Sequence, residues 1–309
     1  MPFFSVIIPV YNKANFVEKT IQSVLNQTFQ DFEIVIINDG STDESENIIL
    51  KIKDPRLKYF TTNNNGVARA RNFGIENSNS SFVCFLDADD IWHDEFLESF
   101  YQYITSNSNQ KVFSCAIDIE TKNKIFHANY AIPKNNSAFE ILDFFDSSNK
   151  EPILWTSSSV FSKSVFNEIG VFDSTIKIAE DTDLWIRIGL KYKILFIKKI
   201  LARYVFDQNS ISRTKTYIFE EKIFNKYLLE EKTNLRLKKF LDLNRFSNAI
   251  KYKITGNQTL FEEKYNQIDK KNIGCKKFIL MNLPKPLLET LIKLKLLLAN
   301  IGLGNSIFR

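Results

Sequence analysis

Several residue types that would point directly to a function are scarce in this sequence. It holds two histidines, His93 and His127, too few for a histidine-rich zinc site. Its three cysteines, Cys84, Cys115 and Cys275, are odd in number and lack metal-ligand spacing. They read as small core hydrophobes in a reducing compartment. Glycine is sparse, at nine in 309 residues, and Pro9-Val10-Tyr11-Asn12 after the first expected strand contains none. That argues against a glycine-rich triphosphate loop. No run reaches the roughly 18 uncharged apolar residues a membrane span needs. Met1-Pro2-Phe3-Phe4 lacks the basic start of a secretion signal. A cytoplasmic protein is expected, soluble or peripheral on the inner face of the cell membrane.

What is present is ordinary globular composition, 44% apolar and 25% charged, enough for a sizeable core. The 28 phenylalanines reflect compositional bias more than function. Charge is unevenly spread. Residues 1–215 carry 23 Lys+Arg against 27 Asp+Glu, whereas residues 216–309 carry 18 against 9. An acidic first part and a basic tail predict two regions with different jobs. The tail lacks interleaved aromatics or a nucleic-acid module, so no nucleic-acid partner is expected.

The most informative stretch is Asp87-Ala88-Asp89-Asp90. It follows the apolar run Ser81 to Leu86 and precedes an amphipathic stretch, Ile91 to Ile104. A short apolar run before a helical pattern reads as a buried strand, and its C-terminal end is where open α/β sheets bind ligands. Three carboxylates in four residues repel one another unless a cation joins them. Mg2+ or Mn2+ suits such a group, sharing its shell with phosphate and water. The plainer reading makes Asp90 a helix cap and leaves the other two solvated.

Strand and helix patterns alternate four times over residues 1–106. Strands are expected at Phe4–Val10 (interrupted at Pro9), Glu33–Ile37, Leu57–Phe60 and 82–86, with helices at Phe16–Leu25, through Leu50, and at Val67–Glu76. This predicts a doubly wound, mostly parallel sheet. Further on, a hairpin is expected over 111–126, a short helix over Ala138–Phe145 and a strand over Trp155–Phe161. A helix over Glu180–Leu190 opens with acids, and strands follow at Lys193–Ile200 and Leu201–Phe206. Beyond about 215 the pattern is helical, with Tyr217–Lys253, Leu260–Ile268 and a leucine-rich helix after Pro284 and Pro286. That last helix either packs on the domain or lies in a membrane interface.

Pro9-Val10-Tyr11-Asn12, Asp39-Gly40-Ser41, Arg71, Asp87-Ala88-Asp89-Asp90 and Glu180-Asp181-Thr182-Asp183-Leu184-Trp185, in this order, resemble the family 2 glycosyltransferases of the GT-A fold. The resemblance covers roughly residues 3–213. It implies a Rossmann-like GT-A domain over 1–215 and leaves a basic helical C-terminal region over 216–309. It also implies inverting, metal-dependent transfer of a single hexosyl or N-acetylhexosaminyl unit. The donor would be a nucleotide-sugar, expected to be a UDP-sugar. The acceptor would be a glycan or lipid-linked saccharide, as in bacterial surface polysaccharide synthesis.

By the same resemblance, Pro9, Tyr11, Asp39, Arg71 and Asp87 bind the nucleotide. Asp39 accepts from the uracil ring NH, Tyr11 stacks on the base, and Arg71 meets a phosphate or base edge. Gly66 permits close backbone approach. Asp89 holds Mn2+ or Mg2+, and Asp181 is the general base. Glu180, Asp183 and Trp185 belong to the acceptor side. Each has a plainer reading: Asp39 a turn residue, Tyr11 and Trp185 core aromatics, Arg71 a solvated helix residue, and the acids at 180–183 complements to a helix dipole.

The sequence departs from the family where a basic or histidine lid residue is usual. Asp207 occupies that place, with Arg213 or Lys215 as substitutes. No Gln/Arg-x-x-Arg-Trp signature of processive members is present, so one sugar per encounter is expected. The basic tail adds an anionic membrane surface as a candidate partner. The rival classes are a sugar-1-phosphate nucleotidyltransferase, which wants the missing glycine loop, and a catalytically silent GT-A-like binding or scaffold module, which would lack Asp89 or Asp181.

Overall fold

The computed structural model describes residues 1–121, 124–205 and 218–300. The lid positions Asp207, Arg213 and Lys215 lie outside the described residues.

The chain begins with β1 (Phe4–Val10), α1 (Val17–Leu25), β2 (Phe32–Asn38), α2 (Ser45–Lys51), β3 (Leu57–Thr61), α3 (Val67–Glu76) and β4 (Phe82–Phe85). These are the four expected strands and the three helices between them. The middle adds β5 (Ile91–Trp92), α4 (Phe96–Ser106), β6 (Val112–Glu120), β7 (Ile125–His127), β8 (Phe139–Leu142), α5 (Phe144–Ser147), β9 (Ser159–Ser162), α6 (Ser164–Ile169), α7 (Glu180–Lys191) and β10 (Ile194–Val205). Strands run in the order β3-β2-β1-β4-β9-β6-β10-β5, with β7 beside β6 and β8 beside β10. Pairing is parallel across β3-β2-β1-β4 and again between β6 and β10; β9 joins the two halves antiparallel on both sides. The result is a mixed sheet whose first half is the doubly wound one.

Every residue of β1 and β2 is buried, as helices on both faces of a parallel sheet require. Successive side chains go to opposite faces. Ile7, Val35, Ile37, Val83 and Phe85 enter one core, whereas Val6, Ile8, Ile34, Ile36 and Cys84 enter the other. α3 lies on the first face through Ala68, Ala70 and Ile75. It approaches so closely that a Cβ on Gly74 would sit 2.4 Å from Ile7 Cγ2. α1 and α4 cover the other face through Ile21, Val24, Phe96 and Phe100.

Pro9 does not interrupt β1. Ile7 O accepts from Leu86 N–H on the β4 side and Val10 O accepts from Asp39 N–H on the β2 side. Residue 9, in phase with Ile7, therefore turns its missing N–H toward β4, where the ladder has already ended at Phe85.

Other boundaries differ from expectation. Ile91 and Trp92 form β5 on β10 before α4 starts at Phe96. Phe139–Leu142 is a strand against β10, not a helix, and Asp143 caps the short α5 after it. The two strands expected over 193–206 are one, β10, with register shifts around Ile200. Of the cysteines, Cys84 and Cys115 are core residues, but Cys275 is exposed.

The C-terminal region contains α8 (Glu221–Lys226), α9 (Glu230–Thr233), α10 (Leu235–Thr255), α11 (Gln258–Gln267), α12 (Lys270–Asn282) and α13 (Lys285–Asn300). It does not separate cleanly at residue 215. Ile223, Phe224, Tyr227, Leu237, Phe240 and Leu241 belong to the core that contains α3 and α7. A separate core starts only at Leu243, with Ala249, Tyr252, Phe261 and Met281. No helix among the described residues is long and apolar enough to cross a membrane.

Candidate active site

Three loops leave the C-terminal ends of β1, β2 and β4. The first is fixed to the second by its backbone. Asn12, at φ +52°, donates its N–H to Ser41 Oγ (3.0 Å) and accepts from Thr42 N–H (2.8 Å). Lys13 and Ala14 donate their N–H groups to Ser45 Oγ (2.8 Å) and Asp43 Oδ2 (2.9 Å). Tyr11 at the loop's start is exposed. In the second loop Asp39 is buried and accepts from Thr62 Oγ1 (2.7 Å), Asn65 N–H (2.8 Å) and Gly66 N–H (2.8 Å). A carboxylate offers about four acceptor sites, so one on Oδ2 stays open. Gly66 then starts α3 at φ +89°, a backbone setting that suits glycine.

The acidic loop after β4 gives each carboxylate a different partner. Asp87 pairs with Arg71 Nη2 at 2.7 Å. Lys13 Nζ sits 2.5 Å from Asp89 Oδ2. Asp90, almost fully buried, accepts from Ser157 Oγ (2.5 Å) and Val205 N–H (3.1 Å). Ser157 Oγ also accepts from Asp87 N–H (3.1 Å), and its carbonyl takes Trp92 Nε1–H (2.7 Å). Burial pushes the carboxyls of Asp89 and Asp90 up. Lys13 opposes this at Asp89, and the neighbouring carboxylates reinforce it at Asp90.

Arg71 joins this loop to α7. Its guanidinium is buried, donating Nη1 to Glu180 Oε1 and Nη2 to Asp87 Oδ1, both at 2.7 Å, while Nε has no hydrogen-bond partner. Burial works against its charge, but the Asp87 and Glu180 carboxylates win and hold it protonated. α7 is introduced by Ala179 in the left-handed region at φ +66°. The described non-glycine residues with positive φ are Asn12, Asn64 and Ala179, and all three flank these loops. Asp181 accepts from its neighbour Thr182 N–H at 2.6 Å. Burial raises its carboxyl above the ordinary range, Arg71 pulls it back, and Asp87 lies near enough to push it up. Asp87, Arg71, Glu180 and Asp181 thus lie together at the C-terminal edge of the sheet.

Residues 5–170, just over half of the chain, match the family described as Glycosyl transferase family 2. The chain belongs to that family. Similar curated proteins include an uncharacterized glycosyltransferase of Rickettsia bellii, 34% identical over 207 residues, covering 64% of this chain and 28% of that protein. Another, from Rickettsia typhi, is 29% identical over 204 residues, covering 65% of this chain and 63% of its own length. Glycosyltransferase GlyA of Streptococcus pneumoniae serotype 4 is 28% identical over 222 residues, 69% of this chain and 32% of that protein. The chain therefore spans less than two thirds of each of these relatives. Among solved structures, S. aureus TarS 1–349 in complex with UDP-GlcNAc superposes with a TM-score of 0.60 at 20% identity, over 86% of this chain and 72% of that one. That likeness establishes the fold, a GT-A sheet with helices behind it.

Within this family 2 domain the expected residues fall into two sets. Pro9, Tyr11, Asp39, Asp87 and Asp89 stand at or beside the sheet's C-terminal edge, and Arg71 reaches it from α3. The acceptor-side set has other partners. Glu180 is committed to Arg71. Asp183, expected on the acceptor side, is fully buried and held by Arg187 Nε (2.9 Å), Lys226 Nζ (2.8 Å) and Tyr227 OH (2.7 Å), so it ties α7 to α8. Trp185 is a core residue stacked on Phe161, with ring centroids 5.5 Å apart. Arg71 itself, expected to meet the nucleotide, spends both terminal nitrogens inside the protein. Lys13 and Ser157 were not anticipated. Nothing in the spacing around Asn12-Lys13 or Thr156-Ser157-Ser158-Ser159 marks them, because their partners lie 76 and 67 residues away in sequence.

No group of three His, Cys, Asp or Glu side chains among the described residues is placed to hold a metal ion. The chemistry of the acidic loop is compatible with a hard dication: Asp89 and Asp87 would offer carboxylate oxygens, and such ions are commonly bound through one or two carboxylates plus substrate phosphates.

Burial and the adjacent Asp181 carboxylate push Glu180 up from 4.5 to about 7, outweighing Arg71. Between those values the folded protein holds a proton that the unfolded chain has released, so this carboxyl lowers stability as pH rises through the window. Glu180→Gln should flatten the fall in unfolding free energy from about pH 4.5 to 7. Urea unfolding at both ends of that range checks it, and an unchanged slope would contradict the assignment.

Proposed function

We propose that this protein transfers one sugar from a UDP-sugar to a hydroxyl of a glycan or lipid-linked saccharide, with inversion. The observation that carries the reading is the Asp87–Arg71–Glu180 bridge, which fastens the donor-side acidic loop to the helix bearing Asp181. The family match and the likeness to TarS, solved in complex with UDP-GlcNAc, support the choice of donor.

In this reading Asp39 offers its open acceptor site to the uracil NH while Thr62, Asn65 and Gly66 keep its carboxylate oriented. The exposed ring of Tyr11 provides a stacking surface for the base. Asp89, with Asp87 beside it, would hold Mn2+ or Mg2+. A bound dication supplies charge stabilisation to the departing diphosphate without a proton transfer. Asp181 takes the proton from the acceptor hydroxyl. The freed oxygen forms its bond to the anomeric carbon as the opposite carbon–oxygen bond to diphosphate breaks, and UDP leaves with that electron pair. Raising the Asp181 carboxyl above its usual range makes its anion a better proton acceptor.

An anionic membrane surface is the second partner in this proposal. Residues 270–309 carry eight Lys and Arg against one acid, Glu289. Phe278, Ile279, Leu287, Leu291 and Leu294 are exposed on α12 and α13, while Leu288 is buried against the protein. Exposed apolar residues in a lysine-rich segment suit an anionic interface, and in this reading the chain binds peripherally to the inner face.

Calorimetry should show UDP binding that weakens sharply when EDTA is added; undiminished affinity would remove the metal role of Asp89. Asp181→Asn should still bind UDP but lose transfer by roughly 100- to 10,000-fold, and near-normal turnover would reassign the base. The full chain should sediment with phosphatidylserine vesicles more than with neutral ones. Leu287→Glu combined with Leu291→Glu should abolish that preference, and retained sedimentation would exclude this surface.

A further inference from the structure

The three carboxylates of the acidic loop differ in how firmly their partners are held. Arg71, serving Asp87, has a side chain only 5% exposed and is locked by a second carboxylate. Asp90 is held by a buried hydroxyl and a backbone N–H. The partner of Asp89 is different. Lys13 has a side chain 25% exposed, carried on a flexible four-carbon stem. Its backbone, by contrast, is fixed, because residues 12 to 14 are hydrogen-bonded to Ser41, Thr42, Asp43 and Ser45. The sequence therefore builds a rigid base from which a partly exposed ammonium, also 5.7 Å from the Phe16 ring centroid, reaches the carboxylate that the proposed reading gives to the metal.

We propose that Lys13 is a resident counter-ion of Asp89 that makes cation binding and nucleotide binding depend on each other. This rests on the metal role of Asp89. With the site free of donor, the ammonium neutralises a largely desolvated carboxylate whose neighbours are also acidic, and so keeps the loop in shape. A dication and an ammonium on one carboxylate oxygen repel, so Lys13 must give up Oδ2 when a cation takes it. Giving up Asp89 costs Lys13 its carboxylate contact, and in the proposed reading the diphosphate of the bound nucleotide would replace that contact with another anion. A cation alone thus competes with Lys13, whereas a cation arriving with a nucleoside diphosphate does not. By linkage the effect is reciprocal: each ligand raises the affinity of the other by the same factor.

The alternative is that Lys13 only ties two loops together, in which case its loss would lower stability without changing how Mn2+ binding responds to nucleotide. The experiment is titration of the full chain with Mn2+, with free Mn2+ read by electron paramagnetic resonance, in the absence and presence of UDP. Wild-type protein should bind Mn2+ weakly alone and much more tightly with UDP. Lys13→Met should bind Mn2+ alone about tenfold or more tighter, the scale on which residues behind a metal ligand act, and should gain less from UDP. Lys13→Gln repeats the test should the methionine variant fold poorly, and Lys13→Arg should restore most of the coupling. Mn2+ affinities equal to wild type in both neutral variants, with Asp89→Asn abolishing binding, would overturn this inference alone. Mn2+ binding indifferent to Asp89→Asn would overturn it together with the metal role of Asp89.

Discussion

A buried guanidinium between two carboxylates is the constraint on which the site depends. Taking Arg71 out of water is unfavourable by itself, and only the pairing with Asp87 and Glu180 makes its position stable. Removing one partner of such a pair typically costs about 3–5 kcal/mol, because a charge is then left uncompensated. α3 can present Arg71 there because it lies almost in contact with β1, at a spacing that Gly74 allows. The close packing of a helix on a parallel sheet and the electrostatics of the site are therefore one arrangement. The Asp87–Asp90 loop cannot shift without disturbing the helix that carries Asp181.

The rest of the site shows the same economy of charge. Each acid of the Asp87–Asp90 loop is answered by a residue from a different part of the chain: α3, the loop after β1, and the segment preceding β9. Backbone strain gathers there too, at Asn12, Asn64 and Ala179. Strain of this kind persists only where the surroundings over-determine it, as the hydrogen bonds around Asn12 show.

The parallel half of the fold was legible in the sequence because its signals are local. Buried strands read as unbroken apolar runs, and loops at their ends concentrate Asp, Asn and Gly. The acidic loop and Asp39 were placed at strand ends by the alternation of strands and loops, whereas Asp181 was singled out only through the family resemblance. What escaped was whatever depends on distant pairing. Phe139–Leu142 looks helical until β10 offers it a ladder, and Ile91–Trp92 joins a helix pattern until the same strand claims it. Asp183 and Trp185 share the acidic segment with Asp181, yet the turn of a helix points them inward to Tyr227 and Phe161. Sequence proximity could not distinguish an acid facing the site from an acid facing the core.

Asp183 also bears on how such proteins can be recombined. It is fully buried, and two of the groups that neutralise and hydrogen-bond it, Lys226 and Tyr227, come from the C-terminal region. A chimera that kept residues 1–215 and borrowed an unrelated tail would leave this buried anion with Arg187 as its one remaining cation among those named, short of the Lys226 ammonium and the Tyr227 hydroxyl. Exchange of tails within this architecture therefore favours donors that bring a matching cation and phenol, and the packing boundary lies inside α10, between Leu241 and Leu243, not in the stretch before α8.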